Sequence, residues 1–162
     1  MELRRSALVA FPAESMFDLI EAAEHYPAFL PWCAGATILE RDDSIVAAEI
    51  RVDYRGVRLS FTTRNPKRRP EWLAVRLEKG PFRRFEGDWH IKPLTPEACK
   101  IEFTFQYEFA GRLGRSLAET VFDHIATTLV DAFVARAEQL HAADRSIQTA
   151  MPTNLGNTHE AG

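Results

Sequence analysis

With 162 residues, 46% of them apolar and 27% charged, the chain is long enough for one globular domain that folds without disulfides or metals. Its net charge of −3 excludes a general affinity for nucleic acid or anionic lipid, so such binding needs a local patch. Cys33 and Cys99 form no CxxC or metal-ligand pattern, and we expect two buried thiols in a reducing cytoplasm.

Neither the start of the chain nor its interior predicts a targeting or membrane-spanning segment. Residues 1–6 lack the apolar core of a signal peptide, and no apolar run approaches the roughly 20 residues of a membrane-spanning helix. We therefore expect a cytoplasmic location, with the periphery of the inner membrane as the other place where the protein would be found.

The first third of the chain predicts a strand, a short helix and a packed irregular segment. A strand-like stretch over residues 2–11 ends at Pro12, and residues 13–23 place apolar side chains at helical spacing. The segment 26–33 combines two prolines with large apolar side chains, which is typical of a packed helical turn. Its residues Phe29, Leu30 and Trp32 are candidates for a lid that touches a membrane.

From residue 35 onward the apolar period changes to two, and short turns separate the segments, which predicts consecutive antiparallel strands. The predicted strands cover residues 36–41, 45–54, 56–65, 71–78, 82–92 and 98–109.

A long amphipathic helix is predicted for residues 115–141, where apolar side chains recur at spacings of three and four. At 1.5 Å per residue it extends about 40 Å, enough to cross a whole sheet. Residues 144–162 have no periodicity and are predicted to be a disordered tail, which leaves one domain over residues 1–143. These elements define an α+β protein with the helix-grip plan, in which a curved antiparallel sheet wraps around a long C-terminal α-helix.

The strands divide their side chains into an apolar inner face and a charged outer face. Almost no carboxylate, histidine, cysteine or lysine points inward, so the pattern disfavours acid–base catalysis, a nucleophile with its base, and a metal site. An apolar internal cavity is the alternative that this pattern favours. Its predicted lining residues are Phe29, Leu30, Trp32, Ile50, Val52, Tyr54, Leu59, Phe61, Val75, Leu77, Phe82, Phe85, Trp89, Phe103, Phe105, Tyr107, Val121, Phe122, Ile125 and Leu129.

Four inward polar side chains are candidates for contacts to the polar head of a ligand, although buried hydroxyl and amide groups more commonly bond to the backbone. They are Tyr54, Thr63, Asn65 and Tyr107.

Basic residues occur in the turn 67–69, at residues 83–84, and at Arg112 and Arg115 before the long helix. Solvated turns are the simplest explanation of these groups. If they cluster in space, they would instead contact lipid phosphates or ribosomal RNA.

Several motifs in order resemble one known family. They are Tyr26–Cys33 (YPAFLPWC), Phe61–Asn65 (FTTRN), Gly80–Phe82 (GPF), Gly87–Trp89 (GDW), Pro93–Leu94, and the pairs Val121–Phe122, Ala132–Phe133 and Arg136–Ala137. Together they are similar to the coenzyme Q-binding, START-like family of the polyketide cyclase and lipid-transfer superfamily, whose fold is START-like or Bet v 1-like. Ile91 departs from the family pattern, which has an aromatic residue at that position.

The resemblance implies non-enzymatic binding of ubiquinone or a related isoprenoid lipid by a chaperone that supports respiratory electron transport. No further cofactor, no metal and no DNA partner are implied. Because the family includes ribosome-association toxins, an alternative is binding to the large ribosomal subunit that blocks subunit association. A cyclase-like enzyme is a third reading, which the lack of inward acid and base groups disfavours.

Overall fold

The computed structural model describes residues 1–111 and 116–150, and both of its layers agree with the helix-grip plan. The elements in chain order are β1 (Glu2–Val9), α1 (Ala13–Glu21), a 3-10 helix (Ala23–Ala28), β2 (Cys33–Arg41), β3 (Ile45–Tyr54), β4 (Val57–Arg68), β5 (Trp72–Lys79), β6 (Phe82–Thr95), β7 (Ala98–Phe109) and α2 (Leu117–Ala150).

The seven strands form one antiparallel sheet in the order β1-β7-β6-β5-β4-β3-β2. Strands β2 to β7 follow one another as a meander, because short turns place consecutive strands side by side. The first strand closes the far edge by pairing with the last one, with Glu2 opposite Gln106 and Val9 opposite Cys99.

Helix α2 packs its apolar side on the inner face of the sheet and completes the core. Its buried residues recur at spacings of one, three and four, as the helical period requires. They are Val121, Phe122, Ile125, Ala126, Val130, Phe133 and Ala137. The two ends of the predicted apolar side, Leu117 and Leu140, are exposed.

We name one end of the sheet the α1 end, because helix α1 lies there. It contains the last residues of β1, β2, β4 and β6 and the first residues of β3, β5 and β7, because neighbouring strands are antiparallel. Helix α1 follows directly from β1 at this end, and the ring of His141 near the C-terminal part of α2 packs edge-on against Phe11 there. The start of α2 lies at the opposite end, where Leu117 approaches Gly56 in the β3–β4 turn.

Three predicted boundaries are wrong. Strand β4 continues through Pro66 and β6 through Pro93, since both prolines occupy ladder positions opposite Ile45 and Cys99. Helix α2 continues to Ala150, so residues 144–150 are helical and do not belong to a disordered tail. The rest of that predicted tail, 151–162, lies outside the described residues, as do Arg112 and Arg115.

Candidate apolar binding cavity

A cavity of about 110 Å³ lies between the inner face of the sheet and helix α2. Its walls come from strands β3 to β7, from α2, and from α1 with the 3-10 helix. The predicted residues that line it are Trp32, Ile50, Phe61, Thr63, Asn65, Val75, Phe85, Trp89, Phe103, Phe105, Phe122, Ile125 and Leu129. Strand parity therefore predicted most of the residues that the sheet contributes to the cavity wall.

Nine of the predicted cavity residues do not line it: Phe29, Leu30, Val52, Tyr54, Leu59, Leu77, Phe82, Tyr107 and Val121. Several of them lie where aromatic rings fill the space between sheet and helix. Phe82, for example, packs on Phe109 at 4.6 Å between ring centroids, on Phe85 at 4.9 Å and on Phe122 at 5.2 Å. Large rings at facing positions close this part of the interior by interdigitation, as in any dense core.

Two of the four predicted polar contacts point away from the cavity. The ring of Tyr54 stacks on His124 and has the guanidinium of Arg55 4.8 Å above it. The Tyr107 hydroxyl donates to the Asp123 carboxylate and lies 3.1 Å from the carbonyl oxygen of Glu119. Burial, followed by the hydrogen bond to Asp123, raises the pKa of Tyr107. Its hydroxyl therefore attaches α2 to the sheet.

The other two polar residues, Thr63 and Asn65, line the cavity beside an interruption of the β4–β5 ladder. Pro66 has no N–H to donate, and the backbone N–H of Arg76 bonds at 3.1 Å to the side-chain oxygen of Asn65. This bond gives the Arg76 N–H an acceptor within the interrupted part of the ladder.

The Thr63 hydroxyl has no hydrogen-bond partner among the described residues, although the residue is only 3% exposed. Every fully enclosed side-chain oxygen or nitrogen of those residues does have a partner. The hydroxyl must therefore reach open space, and the cavity that Thr63 lines supplies that space. It is available to a ligand that offers a hydrogen-bond donor or acceptor.

The sequence reasoning missed the wall formed by α1 and the 3-10 helix, together with several smaller residues. The missed residues are Ile20, Glu21, Ala23, Tyr26, Val46, Ala48, Leu73, Ala126 and Phe133. The parity of Val46, Ala48 and Leu73 already placed them inward. For Glu21 the sequence carries no comparable signal, because an acidic residue at the end of a short helix is usually solvated.

Glu21 belongs to a network of ion pairs that holds α1 to the strand ends. Its Oε1 accepts from Arg41 Nε at 2.8 Å and from Lys67 Nζ at 3.1 Å. Arg41 also bonds to Glu24 at 2.7 Å, and Arg69 grips Asp18 with two nitrogens at 2.7 and 2.9 Å. The α1 wall of the cavity is therefore anchored through its outer, polar side.

This network also sets the ionisation of Glu24. Its burial alone would raise the pKa, but the hydrogen bond and positive charge of Arg41 outweigh that effect and hold the pKa of Glu24 below its ordinary value. The carboxylate therefore remains charged at neutral pH.

The segment predicted as a membrane lid is packed inward. Leu30 and Trp32 are buried. The ring of Phe29 lies 5.4 Å from that of Phe133, with the guanidinium of Arg136 on its other side. The Tyr26 hydroxyl donates to the carbonyl oxygen of Ile20, and burial raises its pKa. The aromatic ring contacts hold this segment against the core, with Phe29 half-buried and Leu30 and Trp32 buried.

Of the predicted basic groups, the two that the structure describes, at residues 67–69 and 83–84, do not form one patch. Lys67 and Arg69 bond to α1 at one end of the sheet, whereas Arg83 bonds to Glu108 at 3.0 Å near the other end. Arg68 and Arg84 pair with Glu71 and Glu86. Their charges are locally neutralised, as the solvated-turn explanation requires.

The chemistry of the lining is almost entirely apolar. Among the described lining residues, the one carboxylate is Glu21, and its charge is shared with Arg41 and Lys67. No group of three or more metal-ligating side chains occurs in the described ranges. Cys33 and Cys99 are buried, and burial raises the pKa of both thiols. This arrangement is suited to holding an apolar molecule by shape and area.

Comparison with known proteins agrees with this fold. The family model described as polyketide cyclase / dehydrase and lipid transport matches residues 9–134. The ribosome association toxin RatA of Pseudomonas aeruginosa is 39% identical over 86% of this chain and 96% of its own length. The mitochondrial coenzyme Q-binding protein COQ10 homolog B of Xenopus laevis is 25% identical over 87% of this chain and 59% of its own length.

Among solved structures, a START superfamily protein of Mycobacterium smegmatis superposes with a TM-score of 0.71 at 23% identity, over 86% of this chain and 98% of that one. At that identity the likeness shows the fold. The chain belongs to the polyketide cyclase / dehydrase and lipid transport family and has its START-like fold. Proteins named for ribosome association and for coenzyme Q binding are both among its relatives.

Proposed function

We propose that this protein is a non-enzymatic binder of an isoprenoid quinone such as ubiquinone, or of a related lipid, and acts as a lipid chaperone for respiratory electron transport. The observation that carries the proposal is the apolar cavity with the unpartnered Thr63 hydroxyl in its wall. Each methylene that leaves water for such a lining contributes about 0.8 kcal/mol. A prenyl chain needs many apolar contacts and a quinone ring needs few polar ones.

The size of the cavity adds a condition to this proposal. Its 110 Å³ is less than the roughly 300–1,000 Å³ of pockets that enclose drug-sized ligands. A long prenyl chain therefore enters only if the cavity expands, and we propose that the α1 wall moves away from the sheet to admit it. That wall is anchored by ion pairs of Asp18, Glu21 and Glu24: the pairs of Asp18 with Arg69 and of Glu24 with Arg41 are exposed enough to exchange with water, whereas the pair of Glu21 with Lys67 is largely buried.

The test is mass spectrometry of an organic-solvent extract of the full chain, purified from a quinone-producing host. We expect a near-stoichiometric isoprenoid quinone. Replacing Thr63 by valine keeps the shape of the side chain and removes its hydroxyl, so we expect quinone affinity to fall about 5–10-fold, the value of one hydrogen bond.

The matched control is Thr62→Val, which changes a buried threonine outside the cavity lining. It should retain the quinone at the wild-type level. An extract of the wild-type protein that contains no lipid would contradict the carrier proposal.

We propose a second candidate function, binding to the large ribosomal subunit in a way that blocks subunit association. The observation in its favour is that RatA matches over 96% of its own length at 39% identity. The carrier and ribosome functions do not exclude each other, because a filled cavity leaves the outer face of the sheet free.

This second candidate predicts that the purified protein, added to separated ribosomal subunits, lowers the fraction that joins in a sucrose gradient. The control adds the same amount of protein after the subunits have joined, where a blocked association surface predicts a smaller effect. Normal joining at a molar excess of protein would contradict it.

A further inference from the structure

Most exposed large apolar side chains of the described ranges lie at the α1 end of the molecule. Six large apolar residues of the described ranges are exposed, and four of them lie near strand or helix ends on this side: Leu8, Leu39, Leu94 and Leu140. Leu8 is 74% exposed and Leu94 49%. Leu8 and Leu94 lie on β1 and β6, the two strands that flank β7, whereas Leu39 lies on β2 at the other edge of the sheet and Leu140 on α2.

Two lysines lie beside these leucines on the outer face of the sheet. Lys92 is directly opposite Lys100, and Lys100 is directly opposite Leu8 on its other side, so the three side chains form one row across β6, β7 and β1. Neither lysine takes part in any of the ion pairs of the described residues. Like charges placed directly opposite each other destabilise a sheet, and this pair therefore favours an external anion.

An aromatic side chain stands next to this row. Trp72 is half-buried on the outer face at the start of β5, opposite His90, which precedes Lys92 by two residues. Tryptophan has an apolar body and a polar N–H, and it is enriched where proteins meet a lipid–water boundary.

The cavity wall that we propose to move for ligand entry lies at this same end. Ile20, Glu21 and Ala23 belong to α1 and the 3-10 helix, which follow directly from β1 after Leu8. A surface that bound this end would therefore face the part of the protein through which an apolar ligand passes.

We propose that the α1 end, defined by Leu8, Leu94, Trp72, Lys92 and Lys100, docks on an anionic lipid surface. The lysines meet lipid phosphates and the leucines enter the boundary between headgroups and acyl chains. RNA also offers phosphates, but leucine side chains supply neither base stacking nor hydrogen bonds to bases. This inference rests on the proposed carrier function, because it assigns the surface with which the cavity exchanges its ligand.

The experiment is co-sedimentation of the full chain with vesicles of phosphatidylcholine, with and without phosphatidylglycerol. We expect binding that depends on phosphatidylglycerol and weakens with added salt. Lys92→Gln with Lys100→Gln should lower partitioning about 25-fold, from the usual contribution of each lysine near an anionic membrane. Leu8→Ser with Leu94→Ser should lower it at least about tenfold through lost apolar burial.

The matched control is Leu117→Ser with Lys79→Gln, which changes an exposed leucine and an exposed lysine at the opposite end of the molecule. It should bind vesicles as the wild type does. The proposal is overturned if the control loses as much binding as the other two variants. It is also overturned if the lysine variant loses affinity for the large ribosomal subunit while vesicle binding is unchanged.

Quinone content, measured in the same preparations, separates this inference from the carrier proposal. A wild-type protein that contains quinone but ignores the vesicles overturns the docking surface alone. Vesicle binding through these residues by a protein without quinone supports the surface and contradicts the carrier function.

Discussion

Phe133→Ala is expected to lower the free energy of unfolding by about 3–5 kcal/mol, the usual cost of removing a buried aromatic ring. Phe133 is 1% exposed and its ring packs edge-on against Trp89 at 5.4 Å, Tyr26 at 5.5 Å and Phe29 at 5.4 Å. These partners belong to β6, to the 3-10 helix and to the loop that follows it. One ring therefore joins helix α2 to the sheet and to the segment formed by the 3-10 helix and the following loop. A neighbouring ring that moved into the space left by Phe133 would lose its contacts elsewhere in the core.

Urea unfolding, followed by circular dichroism, measures this effect. Val134→Ala is the matched control, since it shortens the next, half-buried residue of the same helix and should cost no more than about 1 kcal/mol. A loss below that of the control would mean that Phe133 does not hold α2 on the sheet.

Ala126→Phe is expected to remove most of the co-purified apolar ligand, at least about tenfold if ligand and ring compete for the same space. Ala126 is fully buried on α2 and lines the cavity, so a phenyl ring on this residue enters the 110 Å³ that a ligand would occupy. Because the ring fills existing space, the loss of stability should stay within the roughly 1–3 kcal/mol of an overpacked core.

The readout is the quinone content of the purified variant, together with its unfolding midpoint. Ala132→Phe adds the same ring on a half-buried part of α2 outside the cavity and should retain the ligand. If Ala126→Phe folds and still carries the wild-type amount of quinone, the ligand lies elsewhere.

Strand parity and helical period predicted the architecture because both report burial directly. The alternation in β7 places Ile101, Phe103 and Phe105 inward, and all three are buried. The end of α2 was harder, since residues 144–150 have no apolar period, and a helix that extends beyond its core leaves no hydrophobic pattern. Pro66 was assigned to a turn, because proline cannot donate to a ladder and usually ends a strand pattern, yet it lies opposite Ile45 in the sheet.

For the cavity, the sequence predicted which face is apolar but not where space remains. Phe82 and Phe85 are both inward, yet only Phe85 borders the cavity, because the ring of Phe82 stacks on Phe109. Tyr107 was predicted to contact a ligand head group, but its hydroxyl bonds to Asp123 on α2. The sequence does not show which residues of α2 face β7, because no local pattern reports how the helix is rotated over the sheet. Space between two layers depends on how facing side chains interdigitate, which is a property of pairs distant in sequence.

The pairing of β1 with β7 has a consequence for how the protein is made. Glu2 lies opposite Gln106, so the first strand to leave the ribosome pairs only after the last strand has been made, about 5–20 s later at a synthesis rate of about 5–20 residues per second. Helix α2, which covers the inner face of the sheet, emerges later still. The interior thus closes only at the end of synthesis. An apolar molecule enclosed at that stage would not need the ion pairs of α1 to break, as a ligand that enters the folded protein would.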